Sequence, residues 1–137
     1  MPPSNAPLDP AIRFYLLFSA VGLLPIALSY GISPGRVIPA ILDVPVETTD
    51  LAHVLRAVMG LYVALIGLWI AGSIRSSLTT AALVADVIFM FGLAAGRLLS
   101  LVLDGMPSPL LTIYLVLEVG MGLWGVAMLR RWGAATR

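Results

Sequence analysis

Residues 89–105 read FMFGLAAGRLLSLVLDG, an almost unbroken apolar run that holds an arginine, Arg97, and stops at Asp104 and Gly105. Extended back to Leu78, it makes a helix long enough to cross a hydrocarbon layer roughly 30 Å thick, at a rise of about 1.5 Å per residue. The spacing predicts a transmembrane helix over 78–103, closed by Gly105 in the left-handed position that follows a helix end. A charge at mid-bilayer costs about 2.5–3.5 kcal/mol. Arg97 must therefore turn toward other helices.

The rest of the chain agrees with a membrane setting. Of 137 residues, 60% are hydrophobic and 11% charged, and the mean hydropathy is +1.02, outside the range of a soluble domain. Three further spans are expected: 13–32 with a kink at Pro25, 51–72 with Thr48, Thr49 and Asp50 supplying the cap and a first-turn carboxylate, and 109–129 opening on Ser108-Pro109. Residues 1–10 read as a flexible lead. Residues 31–50 hold Pro34, Pro39 and Pro45 among Arg36, Asp43, Glu47 and Asp50, and read as the one substantial loop. SIRSS, residues 73–77, is a tight polar turn.

These spans with short connections define an all-α integral membrane four-helix antiparallel bundle, a single transmembrane domain over 1–137, with one longer extracytoplasmic loop between helices 1 and 2. Arg13, Arg75, Arg130, Arg131 and Arg137 fall on one side and only Arg36 on the other outside the spans. By the positive-inside rule both termini are cytoplasmic, and the expected location is a bacterial inner membrane. Trp69, Trp124 and Trp132 fall toward the inner interface, where indoles anchor.

Several function classes drop out. Without cysteine there is no disulfide, thiol catalysis or iron–sulfur ligation. A net charge of +1 cannot neutralise a row of phosphates, so nucleic acid is not a partner. Asp50 and His53, the one histidine, are too few for a metal centre. No serine or threonine has a base beside it in sequence, GLAAG lies inside a span rather than at a phosphate loop, and no cofactor is expected.

What remains are the charges inside the spans. Asp86, Met90, Leu93, Arg97, Ser100 and Asp104 share one helical stripe. His53, Arg56 and Gly60 align with Val63 and Gly67 on the second span. On the fourth, Tyr114 and Glu118 align with Gly122 and Gly125. Gly92 and Gly96 form a GxxxG pair beside Arg97, and all six of these glycines read as helix-packing positions. Depth narrows the pairing: Arg56, Arg97 and Glu118 lie about 9, 10 and 13 Å inside the outer helix ends, whereas Asp86 lies about 16 Å further in. The expected site is an outer-half cluster of Arg56, Arg97 and Glu118, surrounded by His53, Tyr62, Ser100 and Tyr114, with Asp104 at its rim. Asp86 stands apart as an inner polar point.

RAVMGLY (Arg56 to Tyr62), GRLLSLVLDGMP (Gly96 to Pro107) and Glu118 resemble the bacterial family of small four-helix membrane proteins known as domain of unknown function 4345. Met59 stands where that family's second glycine is expected. The resemblance implies an integral membrane protein and supplies no activity.

The sequence supports three readings and gives no positive support for an enzyme. The leading one is a pocket that binds or helps move a small amphiphile, a lipid, isoprenoid or quinone, with membrane lipids as surroundings. The second is a proton-coupled small transporter working through Glu118 or Asp86. The third is an accessory or scaffold subunit, either homo-oligomeric or tied to a partner membrane subunit.

Overall fold

The computed structural model describes residues 8–135. Five helices follow one another: α1 (Pro10–Gly31), α2 (Pro34–Leu42), α3 (Thr49–Ile74), α4 (Ser76–Leu103) and α5 (Pro109–Ala135). The four long ones are each apolar and long enough to cross a membrane. Among the described residues there is no strand, and the chain is a helical bundle of the membrane type.

Local chemistry starts and stops these helices. The Asp9 carboxylate accepts a hydrogen bond from the Ala11 N–H at 2.9 Å, and Pro10 takes the first helical position, where no N–H is needed. Asp9 and Pro10 thus belong to the start of α1 rather than to a flexible lead; residues 1–7 of that lead, like Arg137, lie outside the described residues. Thr48 caps α3 by accepting from the Leu51 N–H at 3.1 Å. The SIRSS turn contracts to Arg75 alone, because Ser73 donates to the Ile70 carbonyl at 2.8 Å and stays helical. Across that corner the Thr79 hydroxyl donates to the Gly72 carbonyl at 2.8 Å, tying α4 to α3. Gly105 has φ +94, the left-handed value required at the end of α4.

The expected loop over 31–50 contains a helix. Proline is acceptable at the first position of α2, and Asp43 closes its far end with φ 55. Pro34 and Ile38, one turn apart, are its buried residues, and α2 packs against α1 and α3. Arg36 stays exposed.

The core lies toward the end of the bundle that carries the termini, around Ile12, Tyr15, Leu16, Trp69 and Leu83. Trp69 is 0% exposed and meets the Phe89 ring edge-on at 5.7 Å. It fills the core instead of anchoring at an interface. Trp132 is also buried and donates from Nε1 to the Thr80 hydroxyl at 2.9 Å. Arg131 pairs with Asp9, so α1 begins beside the end of α5.

Two of the packing glycines do their expected work, and four do not. Side chains at Gly122 and Gly125 would collide with Phe91 and with Tyr15 and Val87 respectively. Beside Gly60, Gly67, Gly92 and Gly96, by contrast, nothing lies within 4 Å of where a side chain would begin. The buried line of α3 runs through Tyr62, Ile66, Trp69 and Ser73, and that of α4 through Leu83, Asp86, Met90 and Ala94. Rotation of about 100° per residue turns the four glycines off those lines. Met59, in place of a second glycine, presses its side chain onto Gly31 of α1.

The packing around the bundle is uneven. α1 packs extensively on α3, and α4 on both α3 and α5, whereas α1 meets α4 and α5 only sparsely. That leaves a seam between α1 and α5.

Candidate functional site

Arg97 and Glu118 meet across α4 and α5. Arg97 Nε donates to both Glu118 oxygens at 2.9 Å, and Glu118 is 7% exposed. Tyr114, one turn before Glu118, offers its ring to the guanidinium, whose Cζ lies 5.6 Å from the ring centroid. Only Nε is used in the ion pair. Among the described residues neither Nη group makes a hydrogen bond, so most of the arginine's donor fork is free.

Arg97 stands between two hollows. The larger, about 220 Å³, fills the seam and is walled mainly by apolar side chains of α1, α4 and α5, including Leu23, Ile26, Met90, Leu93 and Met121. Most of its polar groups gather beside Arg97, namely Glu118, Tyr114, Tyr62 and Tyr30, and Ser19 of α1 lies further along the wall. Two of its wall residues, Phe18 and Leu117, are 50% and 56% exposed on the outer face of the bundle. The cavity therefore reaches the lateral surface that the bilayer would cover. The smaller hollow, about 60 Å³, lies on the other side of Arg97 among Ser100, Pro107, Leu111 and Leu115.

The structure thus brings Arg97, Glu118, Tyr62 and Tyr114 together. Ser100 lines only the smaller hollow and donates to Asp104 at 2.6 Å. Asp104 is engaged there and does not pair with Arg97. Arg56 and His53 are exposed and line neither hollow, which removes them from the expected cluster. They lie on the α3 face that also carries Gly60 and Gly67, turned away from Tyr62 and Ile66. Arg56 sits within two turns of the helix start, about 10 Å along the axis, so its long stem can carry the charge to the interface. Reach, rather than pairing, accommodates it.

Asp86 is the inner polar point, and it is 0% exposed. Tyr15 and Ser19 of α1 stand against its carboxyl, yet neither makes a well-formed hydrogen bond to it. Tyr15 instead donates to the Met121 carbonyl of α5 at 3.1 Å.

Helix α1 supplies the site residues that sequence reasoning passed over. Ser19, Gly22, Ile26 and Tyr30 recur at steps of three and four and all line the large cavity. That periodicity was the available signal. Tyr30 meets Tyr62 edge-on at 5.9 Å, bringing α1 and α3 together beside the ion pair.

Fold and site together define a helical membrane bundle with an apolar lateral cavity and an ion pair at one end. The chain belongs to the family described as Domain of unknown function (DUF4345), whose model matches residues 11–129 and so spans nearly all of the four long helices. No curated protein and no solved structure matches it.

Proposed function

We propose that the protein binds a small amphiphile of the bilayer, such as a lipid, isoprenoid or quinone, in the inner membrane of a bacterium with both termini in the cytoplasm. The polar head meets the free Nη donors of Arg97 and the apolar body occupies the seam between α1 and α5. One observation carries this reading: a guanidinium with unused donors sits at one end of an apolar cavity whose walls reach the lateral surface. Such a site takes its ligand sideways from the membrane, where the apolar portion is already dissolved.

The test is untargeted mass spectrometry of small molecules retained by purified protein. Wild type should retain an amphiphile that Arg97→Ala loses while remaining folded in detergent. Wild type that extracts with no such molecule refutes the reading.

The outward glycines favour a second, compatible reading. Gly60, Gly67, Gly92 and Gly96 leave flat helix faces on α3 and α4 that suit close approach by another helix, in a homo-oligomer or with a partner subunit. Proton-coupled transport has less support, since Glu118 is tied to Arg97. It would fall to Asp86, and pH-dependent flux unchanged in Asp86→Asn vesicles would eliminate it.

A further inference from the structure

Four helices send polar groups to one end of the large cavity: Tyr30 from α1, Tyr62 from α3, Arg97 from α4, and Tyr114 and Glu118 from α5. Tyr30 lies in the field of Arg97, Tyr114 and Glu118, and Tyr62 in that of Tyr30, Arg97 and Glu118, so the five gather at one point. The three tyrosines touch their neighbours through their rings, Tyr30 edge-on to Tyr62 and Tyr114 under the guanidinium. Among the described residues none of their hydroxyls makes a hydrogen bond, whereas the remaining tyrosine, Tyr15, donates to the Met121 carbonyl.

This end of the cavity is therefore rich in donors and short of acceptors. The Nη groups and three phenol hydroxyls face a single acceptor, the Glu118 carboxylate, and both of its oxygens already take the Arg97 Nε proton. Donors left without partners in an apolar wall are costly, so the missing complement is an acceptor. Charge decides which kind. Arg97 and Glu118 are the only charged residues that line the cavity, and they cancel. Arg56, the other arginine within the spans, is exposed and lines neither hollow. An anionic head would thus place a second negative charge beside Glu118 with no second cation to meet it, and an uncompensated charge is disfavoured at membrane depth. A neutral acceptor incurs no such cost.

We infer that the cavity selects a neutral head over an anionic one: an uncharged hydrogen-bond acceptor of the carbonyl kind, as in a quinone, ester or amide, held by the Nη groups of Arg97 and the hydroxyls of Tyr30, Tyr62 and Tyr114. This rests on reading the cavity as an amphiphile site, and narrows it. Glu118 then acts twice, orienting Arg97 and cancelling the charge that would otherwise draw in the acidic heads of ordinary lipids.

Native mass spectrometry of the full chain in detergent, titrated with 2-tridecanone and with undecane-1-sulfonate, tests this. The two probes share an undecyl chain, one on a neutral carbonyl and the other on an anion that stays ionised at any working pH. Wild type should bind the ketone at least about fivefold more tightly, the ratio that one net hydrogen bond supports. Glu118→Gln removes the negative charge beside the head and should shift the preference toward the sulfonate by at least about tenfold; because this compares one pair of probes between two proteins, their unequal partition into detergent cancels. At least one of Tyr30→Phe, Tyr62→Phe and Tyr114→Phe should weaken the ketone about fivefold, and these variants with the wild-type preference decide the matter if Glu118→Gln does not fold. Sulfonate bound as tightly as ketone by wild type and lost in Arg97→Ala overturns the neutral head and leaves the amphiphile site standing. A folded Glu118→Gln with the wild-type preference, or ketone binding indifferent to all three tyrosines, also overturns it. Absence of any Arg97-dependent binding of either probe removes both claims together.

Discussion

At the scale of the residue, the Arg97–Glu118 pair matters through what happens when half of it is removed. Glu118 is 7% exposed, so Arg97→Gln leaves a carboxylate in an apolar setting with no partner charge, and Glu118→Gln leaves the guanidinium. Fully buried pairs cost about 3–5 kcal/mol when broken this way. Because the Arg97 side chain is 24% exposed, each single variant should cost less, about 1–3 kcal/mol, read as a shift in denaturant unfolding in detergent. Replacing both residues by leucine should recover most of that loss; a double variant as unstable as the sum of the singles would contradict it. At the terminal end of the bundle, the Ala11 N–H first and Arg131 second hold the Asp9 carboxyl below the ordinary aspartate value of 3.8. A carboxyl that resists protonation in the folded state stabilises fully above its unfolded value, and that stabilisation is lost as pH falls through the lower folded one. The melting-temperature gap between wild type and Asp9→Asn should accordingly be the same at neutral and mildly acidic pH and close only below 3.8.

At the scale of the element, glycine separates helix faces that look alike in sequence. Gly125→Ala would drive a methyl into Tyr15 and Val87 and should destabilise by about 1–3 kcal/mol. Gly92→Ala meets open space and should leave stability unchanged or raise it by up to about 1 kcal/mol, since alanine is the better helix former. Thermal scans of the two variants in one detergent check the contrast, and equal losses would mean that the α4 face is covered in the protein as purified. The spans could be read from sequence because twenty or so apolar residues admit few alternatives. Rotation about each helix axis could be read only in part. Asp86 and Arg97 are too costly to face lipid at depth, which turns their stripe of α4 inward, while Gly92 and Gly96 beside it stay open. Near its outer end α3 tolerates Arg56 on the lipid side, and both lipid and protein interior are apolar, so hydropathy does not say which face packs. The helix α2 was hidden by its prolines, which read as breakers although Pro34 at a first turn favours a helix.

At the scale of the whole molecule, the cavity exists because α1 leans on α3 and, beyond its contacts with Met121 and Trp124, parts from the first half of α5, a relation between segments far apart in the chain. No stretch of sequence states it. The ion pair was readable from charge and depth, whereas the cavity needed Ser19, Gly22 and Tyr30 from one helix to face Glu118 and Met121 from another. Gly22 tests whether that space is where a ligand sits. It lines the cavity, and nothing lies within 4 Å of where its side chain would begin, so Gly22→Leu starts its side chain in open space at the wall of a volume of about 220 Å³. Filling a void and replacing a helical glycine both favour the folded state, by about 0.5–2 kcal/mol. The variant should therefore melt no lower than wild type while losing the co-purifying amphiphile. Gly120→Leu is the matched control, since Gly120 also has open space beside it but lies outside the cavity, and it should retain as much as wild type. If Gly22→Leu retains the molecule undiminished, then whatever co-purifies adheres to the outside of the bundle, and the seam between α1 and α5 is a packing defect rather than a binding site.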